Sequence, residues 1–278
     1  MAHESRGAVV VTGASSGIGE ACALHLAELG FRVQAGVRKA EDAQRLRDAG
    51  LEPLMMDVTD QDSIRAAATQ LGETPLAGLV NNAGVAVAGP LEFIPIDELR
   101  RQLDVNVVGQ VAVTQAFLPV LRRGGGRIVN IGSIGGRVAL PMLSPYAASK
   151  FAMEGITDAL RRELRPWGIH VAIVEPGAIA TPIWSKSREA NEELAKQAPP
   201  EAELLYGKLI ERIRSESVKA AERGLPPRKV AEAVAHALTA SRPRTRYLVG
   251  GEAKLRARLS AILPDRAFDA LIARALGG

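Results

Sequence analysis

The chain has 278 residues and a mass of 29.4 kDa, a size that favours one large α/β domain over two smaller ones. Apolar residues make up 47% of it, which excludes a disordered protein, and a net charge of only +4 with 4% aromatic residues argues against nucleic-acid binding. The single cysteine, Cys22, excludes an intrachain disulfide, and since the four histidines are not at ligand spacing we expect no metal.

Short runs rich in Val and Ile alternate with helical patterns along most of the chain. Strands that alternate with helices form parallel sheets, and strands buried on both faces read as continuous apolar runs. We therefore predict an α/β fold, a doubly wound parallel sheet of about seven strands with helices on both faces. The predicted strands cover residues 8–11, 32–37, 53–56, 78–80, 127–131, 170–174 and 247–249, and the helices 17–29, 40–49, 60–71, 97–121 and 145–164.

One highly charged stretch, residues 185–223, departs from this alternation and carries no strand pattern. Within it Leu205, Leu209 and Ile213 form one apolar stripe at helical spacing. Because the stretch follows the sixth predicted strand, two interpretations stay open. Residues 185–226 form either a helical lid over a substrate cleft or an ordinary helical excursion on the surface.

The C-terminal extension, residues 252–278, contains two short amphipathic helices separated by Pro264. Seven cations and three acids lie in residues 243–278, so this end of the chain carries the whole net charge of +4. The extension either packs on its own domain with solvated arginines or touches an anionic membrane surface. No uninterrupted apolar run approaches the ~18 residues of a membrane-spanning helix, and no leader-like segment is visible, so we expect a cytoplasmic protein.

A glycine-rich turn joins the first predicted strand to the first helix. Such a turn lets backbone N–H groups approach a pyrophosphate at a helix N-terminus. The spacing is G-x-x-x-G-x-G and not the more common G-x-G-x-x-G. We predict that residues 1–278 form one domain, a Rossmann-type dinucleotide-binding domain. The residues expected to hold the cofactor here are Gly13, Ser15, Ser16, Gly17, Ile18 and Gly19.

The end of the second predicted strand indicates which dinucleotide binds. An acidic residue there would hold the ribose 2′-hydroxyl of NAD, but this chain has Arg38 and Lys39. A guanidinium can bind a 2′-phosphate through two hydrogen bonds. We therefore predict that NADP(H) is preferred and that NAD(H) is the alternative. Asp57 and Val58 end the third predicted strand, where the adenine is expected.

Tyr146 and Lys150 stand four residues apart on a predicted helix, so they share one face. A phenol with a pKa of ~10 is a poor acid or base at neutral pH, and a neighbouring ammonium lowers that pKa by stabilising the phenolate. Ser133 follows the fifth predicted strand, where its hydroxyl would orient a substrate carbonyl. These three residues are the predicted catalytic centre.

Taken together, the motifs resemble the short-chain dehydrogenase/reductase family over residues 8–182. The matching pieces occur in the family's order and at similar spacing. They are Thr12-Gly13-x-x-x-Gly17-x-Gly19, Asn81-Asn82-Ala83-Gly84, Asn106, Ser133, Tyr146-x-x-x-Lys150 and Pro176-Gly177. The sequence from Ser144 to Gly155 is similar to the branch that contains hydroxysteroid and retinol dehydrogenases.

The resemblance implies a role for each matching residue. Tyr146 would be the acid in reduction and the base in oxidation. Lys150 would lower the pKa of Tyr146 and bind the nicotinamide ribose, and Ser133 would polarise the carbonyl. Asn106 would hold a water that links Lys150 to solvent. Further cofactor contacts are expected from Asn82, Ala83, Gly84, Pro176, Gly177, Ile179 and Thr181.

The residues expected to face the substrate are almost wholly apolar, which favours a steroid-, retinoid- or lipid-like secondary alcohol or ketone. They are Val85, Val87, Leu91, Gly135, Val138, Leu140, Met142, Ile183 and Trp184. Lys186 and Arg188 keep a 3-oxoacyl thioester reductase open as an alternative, and a non-catalytic NADP(H)-binding sensor is the alternative from another class. The resemblance also implies a homodimer or homotetramer.

Overall fold

The computed structural model describes the backbone of residues 6–276, and the side chains within it except those of 184–186, 188–190, 217, 220 and 221. Seven parallel strands form one sheet in the order β3-β2-β1-β4-β5-β6-β7. The strand order reverses direction next to β1, and ligands of such sheets bind beyond the strand ends at that point. The strands are β1 Ala8–Val11, β2 Arg32–Val37, β3 Glu52–Met55, β4 Leu76–Asn81, β5 Arg127–Ile131, β6 Val171–Pro176 and β7 Arg246–Val249.

Eleven α-helices occur in the described part of the chain. They are α1 Gly17–Glu28, α2 Ala40–Asp48, α3 Gln61–Leu71, α4 Ile96–Leu103, α5 Gly109–Gly124, α6 Ser144–Glu163, α7 Ile183–Gln197, α8 Pro200–Arg223, α9 Arg228–Thr239, α10 Gly251–Ile262 and α11 Asp265–Ala275. Helices α4 and α5 are joined by a π-helical turn, Asp104–Val108. Helix α3 begins at a side-chain cap, because Asp60 accepts hydrogen bonds from the backbone of Asp62 and Ser63 and so satisfies two free N–H groups.

The two faces of the sheet bury separate apolar clusters. On one face, α1, α2 and α9 cover the sheet through residues such as Leu26, Leu46 and Val234. On the other, α3, α5 and α6 cover it through residues such as Ile64 and Phe117. Each fully buried side chain of this kind contributes roughly 1.5–3 kcal/mol to folding. The predicted doubly wound architecture is confirmed.

Several predicted boundaries were wrong, and one helix was missed. The predicted helix 97–121 is longer in the structure, where it begins at Ile96 and ends at Gly124. It contains the π-helical turn because the side chain of the interior Asn106 forms hydrogen bonds with residues outside this helix. The third and sixth strands are each displaced by one or two residues. Helix α9 was not predicted, although Val230, Val234 and Leu238 recur on one face and are buried against the sheet.

The charged stretch after β6 is a pair of helices, α7 and α8, inserted between two segments that lie side by side. The backbone N–H of Ala180 donates to the carbonyl of Leu225 at 3.0 Å, and the N–H of Leu225 donates to the carbonyl of Ala178 at 3.0 Å. A short parallel bridge joins Ile179 to Leu225. The insertion is therefore tied at both ends to the segment that follows β6.

Within the described residues, one helical stretch, Ile96–Gly124, is long and apolar enough by length and composition to cross a membrane. In this fold it packs against β4 and α3, and its polar residues Asn106, Gln110 and Thr114 are buried. The apolar residues of this helical stretch therefore serve to cover the sheet.

Candidate active site

The glycine-rich loop between β1 and α1 folds closely against the segment that follows β4. Gly13 has a φ of +62°, and a Cβ atom there would lie 2.8 Å from the Cα of Ala83. A Cβ at Gly19 would collide with the carbonyl oxygen of Gly13 and with the Asn82 side chain. Only glycine fits at these positions.

Asn82 and Thr12 hold this loop in place. The amide of Asn82 donates to the carbonyl oxygens of Thr12 at 2.9 Å and Gly13 at 3.1 Å. In return, the Thr12 hydroxyl accepts hydrogen bonds from the backbone of Asn82 at 2.8 Å and Ala83 at 2.9 Å. These bonds hold the loop in an arrangement that fits a dinucleotide pyrophosphate at the start of α1. Thr12 belongs to the glycine motif, but the sequence pattern did not reveal this bracing role.

Arg45 supports the same loop from outside and was also missed. Its guanidinium, on α2, donates to the carbonyl of Ser15 and pairs with Glu20 of α1 and with Asp42. The i, i+3 relation of Arg45 to Asp42 was visible in the sequence, but the contact with Ser15 joins residues 30 positions apart. Ser16, Gly17 and Ile18 begin α1, as the cofactor prediction required.

Beyond β2 and β3 lie the residues predicted to select the cofactor. The side chain of Arg38 is 67% exposed, and its Nη1 atom lies 3.8 Å from the carboxylate of Asp57. Lys39 pairs with Glu41 at 3.2 Å. The Asp57 carboxylate accepts hydrogen bonds from the backbone and the hydroxyl of Thr59, which lower its pKa against the opposing effect of burial. Exposed arginine at this strand end is accessible to a phosphate.

The segment after β6 returns to the glycine-rich loop. Pro176 ends the strand, the N–H of Gly177 donates to Val249 at 2.9 Å, and Ile179 is buried. A Cβ at Gly17 would lie 3.3 Å from the Cβ of Thr181, so the two predicted cofactor segments are neighbours. Gly84 and the buried Val58 lie against the π-helical turn and α5. The predicted cofactor segments after β1, β4 and β6 thus adjoin one another at the carboxyl ends of the strands.

Helix α6 carries Tyr146 and Lys150 on one face, one turn apart. The Lys150 Nζ atom lies 5.7 Å from the centre of the Tyr146 ring and donates a hydrogen bond to the carbonyl of Ile131 at 2.9 Å. The ammonium is buried, which lowers the pKa of Lys150 to about 8, with Glu154 acting in the opposite direction. The predicted pairing on one helix face is confirmed.

Ser133, at the start of a short 3₁₀ turn after β5, completes the group. Its hydroxyl accepts a hydrogen bond from the backbone of Gly135 at 3.0 Å and bonds to the phenol of Tyr146. A Cβ at Gly135 would lie 3.2 Å from the Tyr146 ring, so glycine permits this approach. The three residues converge as predicted.

The lowering of the Tyr146 pKa by Lys150 stays a prediction. Burial raises the pKa of Tyr146 above its usual value of 10.0, and the hydrogen bond with Ser133 opposes this only in part. The physical reason is that the buried phenolate loses its hydration. Lys150 is itself destabilised as a cation by burial and donates a hydrogen bond to the carbonyl of Ile131.

Asn106 lies in the π-helical turn and faces α6. Its Oδ1 atom accepts from the backbone of Val85 at 2.9 Å, and its Nδ2 atom donates to the Val85 carbonyl at 3.0 Å and to Ser149 at 3.1 Å. Ser149 in turn donates to the carbonyl of Tyr146 at 2.7 Å. These bonds tie the turn to the catalytic helix. A water held between Asn106 and Lys150 stays a prediction.

A cavity of about 840 Å³ opens beside Ser133 and Tyr146. Of the residues expected to face the substrate, Gly135, Val138, Leu140 and Met142 line it. Val85, Val87, Leu91 and Ile183 are not in the lining, because Val87 is fully buried behind it and Leu91 points to solvent. The side chains of Trp184, Lys186 and Arg188 lie outside those described.

The rest of the cavity lining comes from the loop after β4, the insertion after β6 and the C-terminal extension. The loop after β4 supplies Ala86, Pro90 and Phe93. Helices α7 and α8 supply residues that include Leu194, Ile210 and Ile213, and the C-terminal extension supplies Ala253, Ile272 and Leu276. The insertion therefore borders the cavity, and its role as a lid stays a prediction.

No group of three or more His, Cys, Asp or Glu that would hold a metal occurs in the part of the chain that the structure describes. Cys22 is buried in α1, where burial raises the pKa of its thiol to about 12. The predicted small apolar role of this cysteine is confirmed.

Comparison with known proteins identifies one family. Residues 7–192 match the family described as short chain dehydrogenase. The chain is 38% identical to retinol dehydrogenase 5 of Mus musculus over 279 residues, which cover 95% of this chain and 87% of that protein. It is 40% identical to the 3-amino-tetrahydro-pyrrolizinone reductase of Xenorhabdus hominickii over 274 residues, 95% of this chain and 94% of that protein.

A solved structure agrees with this result. A short chain dehydrogenase from Burkholderia cenocepacia, determined in complex with NADP, is 31% identical and superimposes with a TM-score of 0.75 over 99% of both chains. The two named relatives act on chemically different compounds, so similarity to them indicates the type of reaction and leaves the substrate open.

Proposed function

This chain belongs to the short-chain dehydrogenase/reductase family, and we propose that it transfers a hydride between NADP(H) and a hydrophobic secondary alcohol or ketone. The observation that carries the proposal is the convergence of Tyr146 and Ser133 on one largely apolar cavity, with Lys150 buried one helical turn away. Reduction is the expected direction, because cellular NADP is kept mostly reduced.

Residues of this chain would supply the proton and orient the substrate oxygen that receives it. When bound, the nicotinamide supplies the hydride in reduction and accepts it in oxidation. The phenol of Tyr146 donates its proton to the substrate oxygen, which the Ser133 hydroxyl orients by hydrogen bonding. The ammonium of Lys150, 5.7 Å from the ring, stabilises the phenolate that remains.

The preference for NADP(H) rests on the charge beyond β2. Arg38 and Lys39 stand at the strand end where an acid would select NAD, and the exposed guanidinium of Arg38 can bind a 2′-phosphate through two hydrogen bonds. The structural relative bound to NADP supports the same assignment.

The substrate class rests on the cavity. Its lining includes Val138, Leu140 and Met142, to which the loop after β4 adds Phe93. This apolar part of the lining favours a steroid-, retinoid- or lipid-like compound, and charged side chains such as Glu192 and Arg256 line another part of the same cavity. The volume of about 840 Å³ suits a molecule of that size.

The test is a panel of steroids, retinoids, long-chain ketones and oxoacyl thioesters, assayed with NADPH and NADH. We expect NADPH-dependent reduction of an apolar ketone, and Tyr146→Phe should lower kcat by ~10²–10⁴-fold because the proton donor is lost. Retained NADPH binding by this variant, measured by fluorescence titration, serves as the control for folding. Wild-type protein that binds NADPH but converts nothing would favour a nucleotide sensor, and turnover of the thioesters alone would favour the thioester reductase.

We also propose that the protein is a cytoplasmic homodimer or homotetramer, to be measured by light scattering. Val108 and Phe151 are exposed on the helices through which the family resemblance implies pairing. A single cysteine, buried, fits a reducing compartment.

Weak contact of the C-terminal extension with an anionic membrane is a further part of the proposal. Leu255, Ile262 and Leu271 are exposed there among arginines. Co-sedimentation with anionic liposomes should decrease for a chain that ends before Glu252, and equal sedimentation of both forms would contradict the contact.

A further inference from the structure

A cluster of charged groups lies one helical turn beyond Lys150 on α6. Tyr146, Lys150, Glu154 and Asp158 follow one another at intervals of four residues, so all four lie along the same face of the helix. Glu154 and Asp158 do not line the substrate cavity. They face the last two strands of the sheet, and the family motifs assign a role to neither.

Two arginines connect this helix face with the sheet. Arg246 of β7 lies 2.9 Å from Glu154 through Nη2, 2.8 Å from Asp158 through Nη1 and 3.5 Å from Glu175 through Nε. Arg137, after the 3₁₀ turn that begins at Ser133, binds the fully buried Glu175 of β6 through two bonds of 2.7 and 2.9 Å. Both catalytic segments therefore touch one ionic network.

Among the three carboxylates of this network, Glu154 has the fewest arginine contacts. One of its two oxygens, Oε2, meets Arg246, whereas the buried Oε1 atom receives no hydrogen bond. The carboxyl of Glu175 adjoins it. Two carboxyl groups in contact inside a protein repel each other when both are ionised, so ionising the second one costs free energy. Burial and then the charge of Glu175 raise the pKa of Glu154 to about 7, against Arg246 and Arg137.

Ionised Glu154 acts on Lys150, its neighbour one turn along the helix. A carboxylate there raises the pKa of Lys150 and so offsets part of the effect of burial, which lowers it. Asp158 does not carry this influence, because it is a further turn away and bound by both Arg246 and Arg161. Protonation of Glu154 thus changes the charge next to the catalytic ammonium.

We propose that Glu154 is a positioning residue for the reaction, a proton-exchanging carboxyl beside Glu175 that keeps Lys150 charged once it has ionised. The inference rests on the proposed function, since the charge of Lys150 limits turnover only if Tyr146 and Lys150 carry out the proton transfer. The proposal gives a role to a carboxyl group that has a partner for only one of its two oxygens. Without such a role, the unpartnered oxygen would only destabilise the folded protein.

The test is the pH dependence of reduction by Glu154→Gln, which keeps the size of the side chain and its acceptor for Arg246. We expect the decrease of kcat at alkaline pH to begin about 0.5–1 unit lower than in the wild type, because Lys150 loses its carboxylate support. Glu154→Asp, which retains an ionisable group, should restore the profile in part. The matched control is Asp158→Asn, which removes a carboxylate from the same arginine and should leave the profile unchanged.

Two results would overturn the proposal: an alkaline decrease in Glu154→Gln at the wild-type pH, or an equal displacement in Asp158→Asn. Circular dichroism and NADPH titration separate these from misfolding. A second measurement does not need turnover, so it distinguishes failure of this inference from failure of the proposed function. The ¹⁵N signal of the Lys150 ammonium should titrate at a lower pH in Glu154→Gln, and an unchanged titration would contradict the coupling.

Discussion

At the scale of single residues, we expect the buried ammonium of Lys150 to set the pH response of the proposed active site. Its pKa in the folded protein, about 8, lies below the usual 10.5 because burial destabilises the cation. Between these two values the unfolded chain holds the proton and the folded chain does not. The contribution of Lys150 to the free energy of unfolding therefore increases as pH rises through this window, while its usefulness as a cation decreases.

We expect kcat for reduction to fall as pH rises through about 8, the pKa of Lys150. Lys150→Met should lower kcat at neutral pH by ~10²-fold or more and abolish this limb, without lowering the melting temperature, because an apolar side chain suits the buried position. Rate measurements across the pH range, with thermal unfolding alongside, would check both parts. A variant that keeps the wild-type alkaline limb would show that another group titrates.

The second prediction at this scale concerns the role of Arg38 in cofactor choice. Arg38→Asp should raise the KM for NADPH by roughly 10–100-fold and improve the use of NADH, because charge-assisted hydrogen bonds to a phosphate are replaced by repulsion. Arg47→Asp, on the neighbouring exposed helix α2, is the matched control and should change neither KM. An unchanged KM for NADPH in Arg38→Asp would exclude this residue from the phosphate site.

At the scale of elements, the insertion α7–α8 closes on the loop after β4 through a few side chains. The amide oxygen of Asn191 accepts from the backbone of Ala88 at 3.1 Å. The hydroxyl of Tyr206 donates to Glu92 at 2.8 Å, and its ring meets Phe93 edge-on at 6.0 Å. Because these contacts join the insertion to a loop that also lines the cavity, we expect the insertion to open when they break.

Tyr206→Phe should raise the KM for the ketone by about 2–10-fold, since one hydrogen bond of ~0.5–1.5 kcal/mol that favours closure is removed while the ring remains. The KM for NADPH should stay constant, because the cofactor groove lies at the glycine-rich loop. Steady-state kinetics with both substrates varied would test this. Lys196→Gln, which breaks an exposed pair with Glu193 within α7, is the control. Equal effects of the two variants on the KM for the ketone would show that the Tyr206 hydroxyl does not hold the insertion closed.

At the scale of the whole molecule, the substrate cavity is assembled from parts of the chain that lie far apart. Ala253 of α10 is buried, and a Cβ at Gly177 would lie 3.2 Å from its side chain. Helix α11 buries no residue completely, yet Ile272 and Leu276 line the cavity. The extension therefore completes a wall of the cavity as well as carrying the excess of positive charge.

A chain that ends after Leu263 should lose affinity for the longest apolar substrates and keep its affinity for NADPH. Removing α11 opens one cavity wall to water, which costs about 25 cal/mol for each Å² of apolar substrate surface that then stays hydrated. The ratio of KM values for a long and a short ketone is the measurement. An unchanged ratio in the truncated protein, with normal melting temperature, would show that α11 does not touch the substrate.

Local patterns made much of this fold predictable. Continuous apolar runs such as Ala8–Val11 mark strands buried on both faces, and glycines at turns mark positions that exclude a side chain. The i, i+4 spacing of Tyr146 and Lys150 predicted their shared helix face. Helix α9 and the π-helical turn were missed, because packing on the sheet and the contacts of Asn106 decide them and neither is local.

The sequence by itself determined the parallel sheet and the place of the glycine-rich loop and predicted the catalytic side chains, since these depend on short spacings and residue chemistry. Only the tertiary structure decided which segments enclose the cavity and how burial changes the pKa values. The raised pKa of Tyr146 and the carboxyl pair of Glu154 and Glu175 depend on groups brought together from distant positions. Desolvation is a property of the packed molecule, and no single stretch of sequence encodes it.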